Sequence, residues 1–370
     1  MQIKTFLLER NQSLHENIVE CNLSESGAHP LALNDLLSKQ EIAELLALPI
    51  SYGNTRGSGE LRSAVAAQYG CSADDVVITN GTAEANFLTA FALIEPGDEI
   101  IVVVPNYLQL PGLAECFGAK VIPVHVDSVI EDIVNNLSAK TKMIALCNPN
   151  NPTGKHMSKS NIDKIIEMAK SVNAYLFVDE IFLKEENFGE PHKSIYGQYE
   201  KAIVNSSLSK AYGLAGLRLG WTIGPKDYLE QVLIRKDYTT IAPSVISDYI
   251  ATRLLSNPSK CQEILELNKS KVQHRYAVFE EWAQEFKDIF KWSKPEAGAM
   301  VFIKYSLPIK SKDLMQKILH KKNTLIIAGE DFGVESHIRI GIGLEIHDLK
   351  IALSRVAEVI REIQKNIANK

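Results

Sequence analysis

Residues 141–180 read TKMIALCNPN NPTGKHMSKS NIDKIIEMAK SVNAYLFVDE, and the fold is decided there. Met143–Cys147 is a continuous apolar run of strand length, Asn161–Ser171 is helix-like, and Tyr175–Val178 is apolar again. Apolar runs without strict alternation suit strands buried on both faces, and a helix between two of them implies a parallel crossover. Each strand ends in polar residues, Asn148-Pro149-Asn150-Asn151-Pro152-Thr153-Gly154 after the first and Asp179-Glu180 after the second. The carboxyl edge of an open α/β sheet is where such folds bind ligands.

The same alternation extends outward from Leu61 to Ile223. Leu61–Gln68 and Ala83–Ala92 are helix-like, and Val76–Thr79, Ile100–Val104, Val121–Val126, Ala202–Asn205 and Leu217–Ile223 are strand-like. The expectation is an α/β domain with a mainly parallel sheet sandwiched by helices. The texture then changes. A long helix is expected from Ser259 to Phe286, then strands Gly298–Tyr305, Thr324–Ala328 and His337–Ile342, with Lys312–His320 helical among them. Leu349, Leu353, Val356, Ile360, Ile363 and Ile367 form one apolar stripe on a final helix. This is a smaller α+β domain. The boundaries expected are 45–265 for the large domain, with 1–44 and 266–370 forming the small one from both termini.

Composition narrows the function. The chain has 370 residues and a net charge of −5, which gives no basic field for nucleic acid or an anionic membrane. Its 45% hydrophobic and 23% charged residues suit a large folded core. Phe6–Leu8 is too short for a signal-peptide core, and runs such as Ile100–Val104 fall far short of a membrane span. Cys21, Cys71, Cys116, Cys147 and Cys261 are scattered and never paired as CxxC, so neither a disulfide framework nor a zinc site is expected, and the compartment expected is cytoplasmic.

Four segments carry candidate chemistry. Ser207-Leu208-Ser209-Lys210, with Arg218-Leu219-Gly220 after it, follows a strand. Lys210 there is either an imine-forming amine beside an anion cradle of Ser207, Ser209 and Arg218, or a solvated lysine in a serine-rich loop. Asp179 could hold a proton on a heterocyclic nitrogen, or cap a turn. The loop 148–154 is rigid enough for Asn151 to donate to a phenolate-like oxygen, or is a structural turn. Thr79-Asn80-Gly81-Thr82-Ala83 is a strand-to-helix junction whose backbone amides can bind phosphate, with Gly81 allowing close approach.

In this order, all at strand ends, these segments resemble the fold-type I pyridoxal 5′-phosphate (PLP) enzymes, and more narrowly the class I and II aminotransferases. The resemblance runs from Leu23 to the last helix. It implies an aspartate aminotransferase-like fold, PLP as cofactor, and transfer of the α-amino group of an amino acid to a 2-oxo acid. Residue by residue, Lys210 is similar to the lysine that binds the cofactor aldehyde and later moves the proton at Cα. Asp179 is similar to the acid on the pyridine nitrogen, and Asn151 to the donor to the phenolic oxygen. Ser207, Ser209, Arg218, Gly81, Thr82 and Ala83 are similar to the phosphate site, and Tyr107 to the ring stacked on the pyridine. Tyr52 resembles a residue that reaches the phosphate of a neighbouring subunit, which implies a homodimer with shared active sites. Arg339 resembles the arginine that grips the substrate carboxylate, with Asn151, Gly27 and His29 beside the substrate.

Two positions depart from the family pattern. Phe182 stands three residues after the aspartate, where the family carries a tyrosine, so one donor to the phenolic oxygen is missing. The N-terminal segment reads Asn22-Leu23-Ser24-Glu25-Ser26-Gly27-Ala28-His29-Pro30, in place of a leucine and a compact G-x-P. His29 is then either substrate-facing or a surface or capping histidine. His29, Phe182 and Arg235-Lys236-Asp237-Tyr238-Thr239 resemble a subgroup acting on guanidino amino acids, which includes capreomycidine synthase and PLP-dependent arginine oxidases. Glu16, Glu25, His29 and Asp237 are candidates for reading a basic side chain. An aminotransferase is the leading expectation. A PLP-dependent lyase, cyclase or oxidase of a basic amino acid is the rival, and a non-catalytic PLP-binding regulatory module is opposed by the intact Lys210, Asp179 and Arg339.

Overall fold

A computed structural model describes residues 3–189 and 191–368. Seven strands form one sheet: β1 (Val76–Thr79), β2 (Glu99–Val104), β3 (Lys120–His125), β4 (Thr141–Cys147), β5 (Tyr175–Asp179), β6 (Ala202–Ser207) and β7 (Gly220–Ile223), in the spatial order β1-β7-β6-β5-β4-β2-β3. Every neighbouring pair is parallel except the two made by β7. That exception has a local cause. Between β6 and β7 the chain has only a short 3₁₀ turn, Ala215–Leu217, and no crossover helix. A strand returning without a crossover must run antiparallel.

The strand expected over Leu217–Ile223 therefore begins later, at Gly220. Arg218 takes a left-handed backbone conformation, φ 46°, and this turns the chain before it enters the sheet. The helices fall where periodicity put them. Gly59–Tyr69 starts on Ser58, which accepts from the Leu61 amide at 3.2 Å, and Lys159–Ser171 starts on Ser158, which accepts from the Asn161 amide at 3.2 Å. One face of the sheet packs Ile101, Val103, Ile144 and Val178 against Ile133, Ile162 and Ile165. The other packs Val77, Val102, Ala145 and Ile203 against Leu88, Leu113 and Leu229.

A smaller sheet, β8 (Phe290–Trp292), β9 (Met300–Tyr305), β10 (Ile327–Ala328) and β11 (His337–Gly341), is antiparallel in the order β10-β11-β9-β8. The single strand expected over Thr324–Ala328 is split. Thr324–Leu325 instead pairs in parallel with Cys21–Asn22, which ties the N-terminal segment to the C-terminal region. The final helix, Ile346–Ala368, buries Leu349, Leu353, Val356, Ile360 and Ile363 in one cluster with Leu23, Phe279 and Ile338, while Ile367 at its end is exposed. The long helix Pro258–Gln284 runs unbroken through residue 265, and Leu36 and Leu37 pack with Leu61 and Ile78 against the large sheet. Among the described residues all five cysteines are free, Cys21 and Cys147 buried and the other three half-buried. No described helix is long and apolar enough to cross a membrane.

Candidate active site

The register of the large sheet brings the four sequence segments to one edge. Cys147 lies opposite Asp179, Asp179 opposite Asn205, and Ser207 and Thr79 both opposite Gly220. The loops after β1, β4, β5 and β6, and the turn before β7, therefore leave from the same side. They surround a cavity of about 400 Å³ lined by Thr82, Ala83, Tyr107, Asn151, Asp179, Phe182, Ser209, Lys210, Arg218 and Arg339, among others.

One end is built for an anion. The helix Thr82–Leu93 begins at Gly81 with no side chain capping its first amides. Thr82 Oγ1 is buried with no hydrogen-bond partner among the described residues. Arg218 donates to the Ala215 carbonyl at 3.0 Å and lays its guanidinium against Gly81. Gly81 has φ 80°, and a Cβ there would sit 2.5 Å from an Arg218 nitrogen, so only glycine lets the cation reach the helix start. Ser207 does not line the cavity. Its hydroxyl accepts from the Ser209 amide at 3.1 Å and so holds the Ser209 side of the cradle.

The centre holds Lys210 and Asp179. Lys210 Nζ is 3.3 Å from Glu25 Oε2. Gly27 backs the lysine: a Cβ there would meet Lys210 Cδ at 2.8 Å. Asp179 is buried; it accepts from the Ile181 amide at 3.0 Å and from Asn86 Nδ2 at 3.5 Å. Burial pushes its carboxyl up to about 6 against those hydrogen bonds. Phe182 is fully buried with Cys147, Ala297 and Met300, so the ring in the family's tyrosine position sits in apolar surroundings.

The far side is cationic, then acidic. Arg339 is buried; it donates to Asn151 Oδ1 at 2.9 Å and to the Ser24 carbonyl, and its guanidinium stands over the Phe332 ring at 5.1 Å. Burial pulls Arg339 down to about 10, which leaves it cationic at neutral pH. Because Arg339 occupies the Asn151 oxygen, the Asn151 amide nitrogen remains as the donor on that side. The N-terminal helix Leu7–His15 closes the cavity with Leu8, Glu9 and Gln12, and Glu16 follows. Tyr107 donates to Glu9 at 2.7 Å and its ring meets Phe6 edge-on.

Three expected residues lie elsewhere. Tyr52 is 85% exposed and does not line the cavity. His29 is turned to Glu345, 4.0 Å away, a carboxylate also held by Arg275, and does not face the cavity. Asp237 is likewise outside it. Its neighbours in 235–239 serve the scaffold: Lys236, fully buried, pairs with Glu84 one turn into the cradle helix, and Arg235 donates to the Phe91 carbonyl. Three contributors went unread in the sequence. Glu9 and Gln12 sit on a helix whose spacing from the other segments gave no sign of contact. Asn86 had a signal, since it lies four residues after Thr82 and so on the same helical face.

These residues fit PLP. The anion cradle has an orphaned hydroxyl and a glycine where a Cβ would collide, and the buried Asp179 forms no ion pair among the described residues, where a pyridinium would supply one. Without that partner the burial cost falls on the chain. Asp179, Glu180 (pushed up to about 7) and Glu185 (up to about 8) are all raised by burial. A raised carboxyl binds more protons folded than unfolded, so stability falls as pH rises from the unfolded value to the raised one. The cofactor-free protein is therefore expected to melt at lower temperature as pH goes from about 4 to 8. In Asp179→Asn its share of that slope, up to about 3 kcal/mol, should be gone while PLP affinity drops. Thermal unfolding across pH checks both.

The family described as aminotransferase class I and II matches residues 49–356. Capreomycidine synthase of Streptomyces vinaceus is 26% identical over 351 residues, covering 91% of this chain and 89% of that protein. An arginine–pyruvate transaminase of Pseudomonas aeruginosa is 26% identical over 343 residues, covering 87% and 85%. The crystal structure of a PLP-dependent aminotransferase from Streptococcus suis superposes with a TM-score of 0.91 at 27% identity, covering 98% of this chain and 99% of that one. A family match over residues 49–356 of a 370-residue chain places this protein in the class I and II aminotransferases.

Proposed function

We propose that this protein is a PLP-dependent aminotransferase that takes the α-amino group from an amino acid with a cationic side chain and passes it to a 2-oxo acid. The observation that carries the side-chain reading is the acidic wall. Glu9, Glu16 and Glu25 line the same cavity. Burial, then the neighbouring Glu25 and Glu9, push the Glu16 carboxyl up against the opposing pull of Lys210. Glu25 is instead held down by Lys210 and Arg339, so Glu16 is the carboxylate that a substrate cation would relieve. A relative named for arginine supports the same reading.

PLP supplies an electron sink for the pair released at Cα. Everything else falls to the chain. Arg218, Ser209, Thr82 and the helix start would hold the phosphate, Asp179 the pyridine nitrogen and Asn151 the phenolic oxygen. Tyr107 would cover the ring. Arg339 would bind the substrate carboxylate and so fix the orientation of the substrate's Cα bonds. Lys210 Nζ would hold the cofactor before substrate binds and, as a free amine, would take the Cα proton. Glu25 pairs with the Lys210 ammonium when the lysine is free, which leaves Glu16 to face the substrate side chain.

The dimer belongs to the same proposal. Tyr52 is held out from its own cavity, as a residue serving the partner's phosphate site must be. The large cofactor domain is taken as 45–265 and the small domain as 1–44 with 266–370.

The test is a screen of amino acids with pyruvate and 2-oxoglutarate as acceptors. Arginine, lysine and ornithine should give the largest kcat/KM, and Glu16→Gln should lower it for these about 10- to 100-fold, the worth of a charge-assisted hydrogen bond, while neutral substrates change little. Equal rates for neutral and basic amino acids would refute the side-chain reading. One observation favours a second outcome. Phe182 removes a hydroxyl from the phenolic-oxygen side, and a relative bears the name of a synthase. Ammonia release, a cyclised product or oxygen consumption in place of amino transfer would mark it.

A further inference from the structure

Outside the cofactor cavity, His156, Glu186 and His192 meet. One ligand atom from each lies within 4.8 Å of the other two. His156 Nε2 is 3.8 Å from Glu186 Oε1, and the two side chains are 3% and 5% exposed. The His156 and His192 rings lie 12° from parallel with centroids 3.4 Å apart, closer than the roughly 4.5–7 Å usual for aromatic pairs. Neither nitrogen of the buried His156 ring has a hydrogen-bond partner among the described residues.

A hydrogen bond does not explain the arrangement, because 3.8 Å is too long for one. Two ligands about 2.1 Å from a tetrahedral ion stand about 3.4 Å from each other, within reach of the spacing seen. Neutral imidazoles and a carboxylate are the ligands of late first-row divalent ions.

We propose that His156, Glu186 and His192 form a binding site for a late first-row divalent cation, with Zn²⁺ as its representative. His156 and Glu186 form the buried floor. His192, at the exposed side, turns out of the stack to aim a nitrogen at the ion and leaves a fourth position to water. The surroundings say what the ion does. The His156 amide donates to Glu296 at 2.9 Å, Lys155 pairs with Glu296 at 3.0 Å, and Glu186 bridges to Ala297. The cation would therefore tie the loop carrying Asn151 to the segment after Phe182 and to the residues that lead into β9. It braces the joint between the two sheets without touching substrate.

The test uses the full-length, PLP-loaded protein, stripped of metal with a chelator. Zn²⁺ is titrated by calorimetry and Co²⁺ by its visible absorbance. One equivalent per chain should bind, and Zn²⁺ should raise the unfolding midpoint. His192→Ala removes an exposed ring and leaves the fold intact by circular dichroism; it should abolish both effects. Glu186→Gln, which removes a ligand's charge, should weaken Zn²⁺ binding measurably. No binding to the wild type, or binding unchanged in His192→Ala, overturns the proposal.

Discussion

Lys210→Ala is expected to lower amino transfer by about four orders of magnitude or more and to erase the visible absorbance of lysine-bound PLP. The size follows from two losses at one atom. In the proposed mechanism Lys210 Nζ would both anchor the cofactor and serve as the base for the Cα proton. Lys210 is the only lysine that lines the cavity among the described residues, so nothing nearby can replace it. The aldehyde should still enter, because the phosphate cradle of Arg218, Thr82 and Ser209 does not depend on the lysine. Spectra of the variant with added PLP, before and after borohydride, provide the check. A covalent adduct that persists in Lys210→Ala would move the chemistry to another residue and undo the assignment.

Arg339→Ala should raise KM for amino acids and lower kcat/KM by about two to three orders of magnitude, with bound PLP unchanged. Breaking a buried, hydrogen-bonded charge interaction costs about 3–5 kcal/mol. Removal of the guanidinium also frees the Asn151 oxygen, which accepts from Arg339 at 2.9 Å, but leaves the Arg218, Thr82 and Ser209 cradle in place. Arg339→Lys should recover little, since a point charge cannot bind a carboxylate through a planar fork. Steady-state kinetics with a matched measurement of PLP affinity separate the two roles. An unchanged KM with weakened PLP would show that Arg339 serves the cofactor instead of the substrate.

The sequence by itself determined the strand-end motifs, the α/β class and the candidate groups Lys210, Asp179, Asn151, Arg218 and Arg339, which the structure brings to one cavity. It could do so because these depend on local order. An apolar run followed by a rigid turn carries its own residue to the sheet edge, whatever the rest of the chain does. The tertiary structure decided what comes from distance. The N-terminal helix brings Glu9 to Tyr107 across nearly a hundred residues. His29 is drawn to Glu345, and Tyr52 is left in solvent. Lys236 is sunk against Glu84, and His156 and His192 are pressed ring to ring. None of these contacts has a period or a spacing to read. They arise because packing two domains fixes which loops meet, and a side chain's role there depends on the partner it finds.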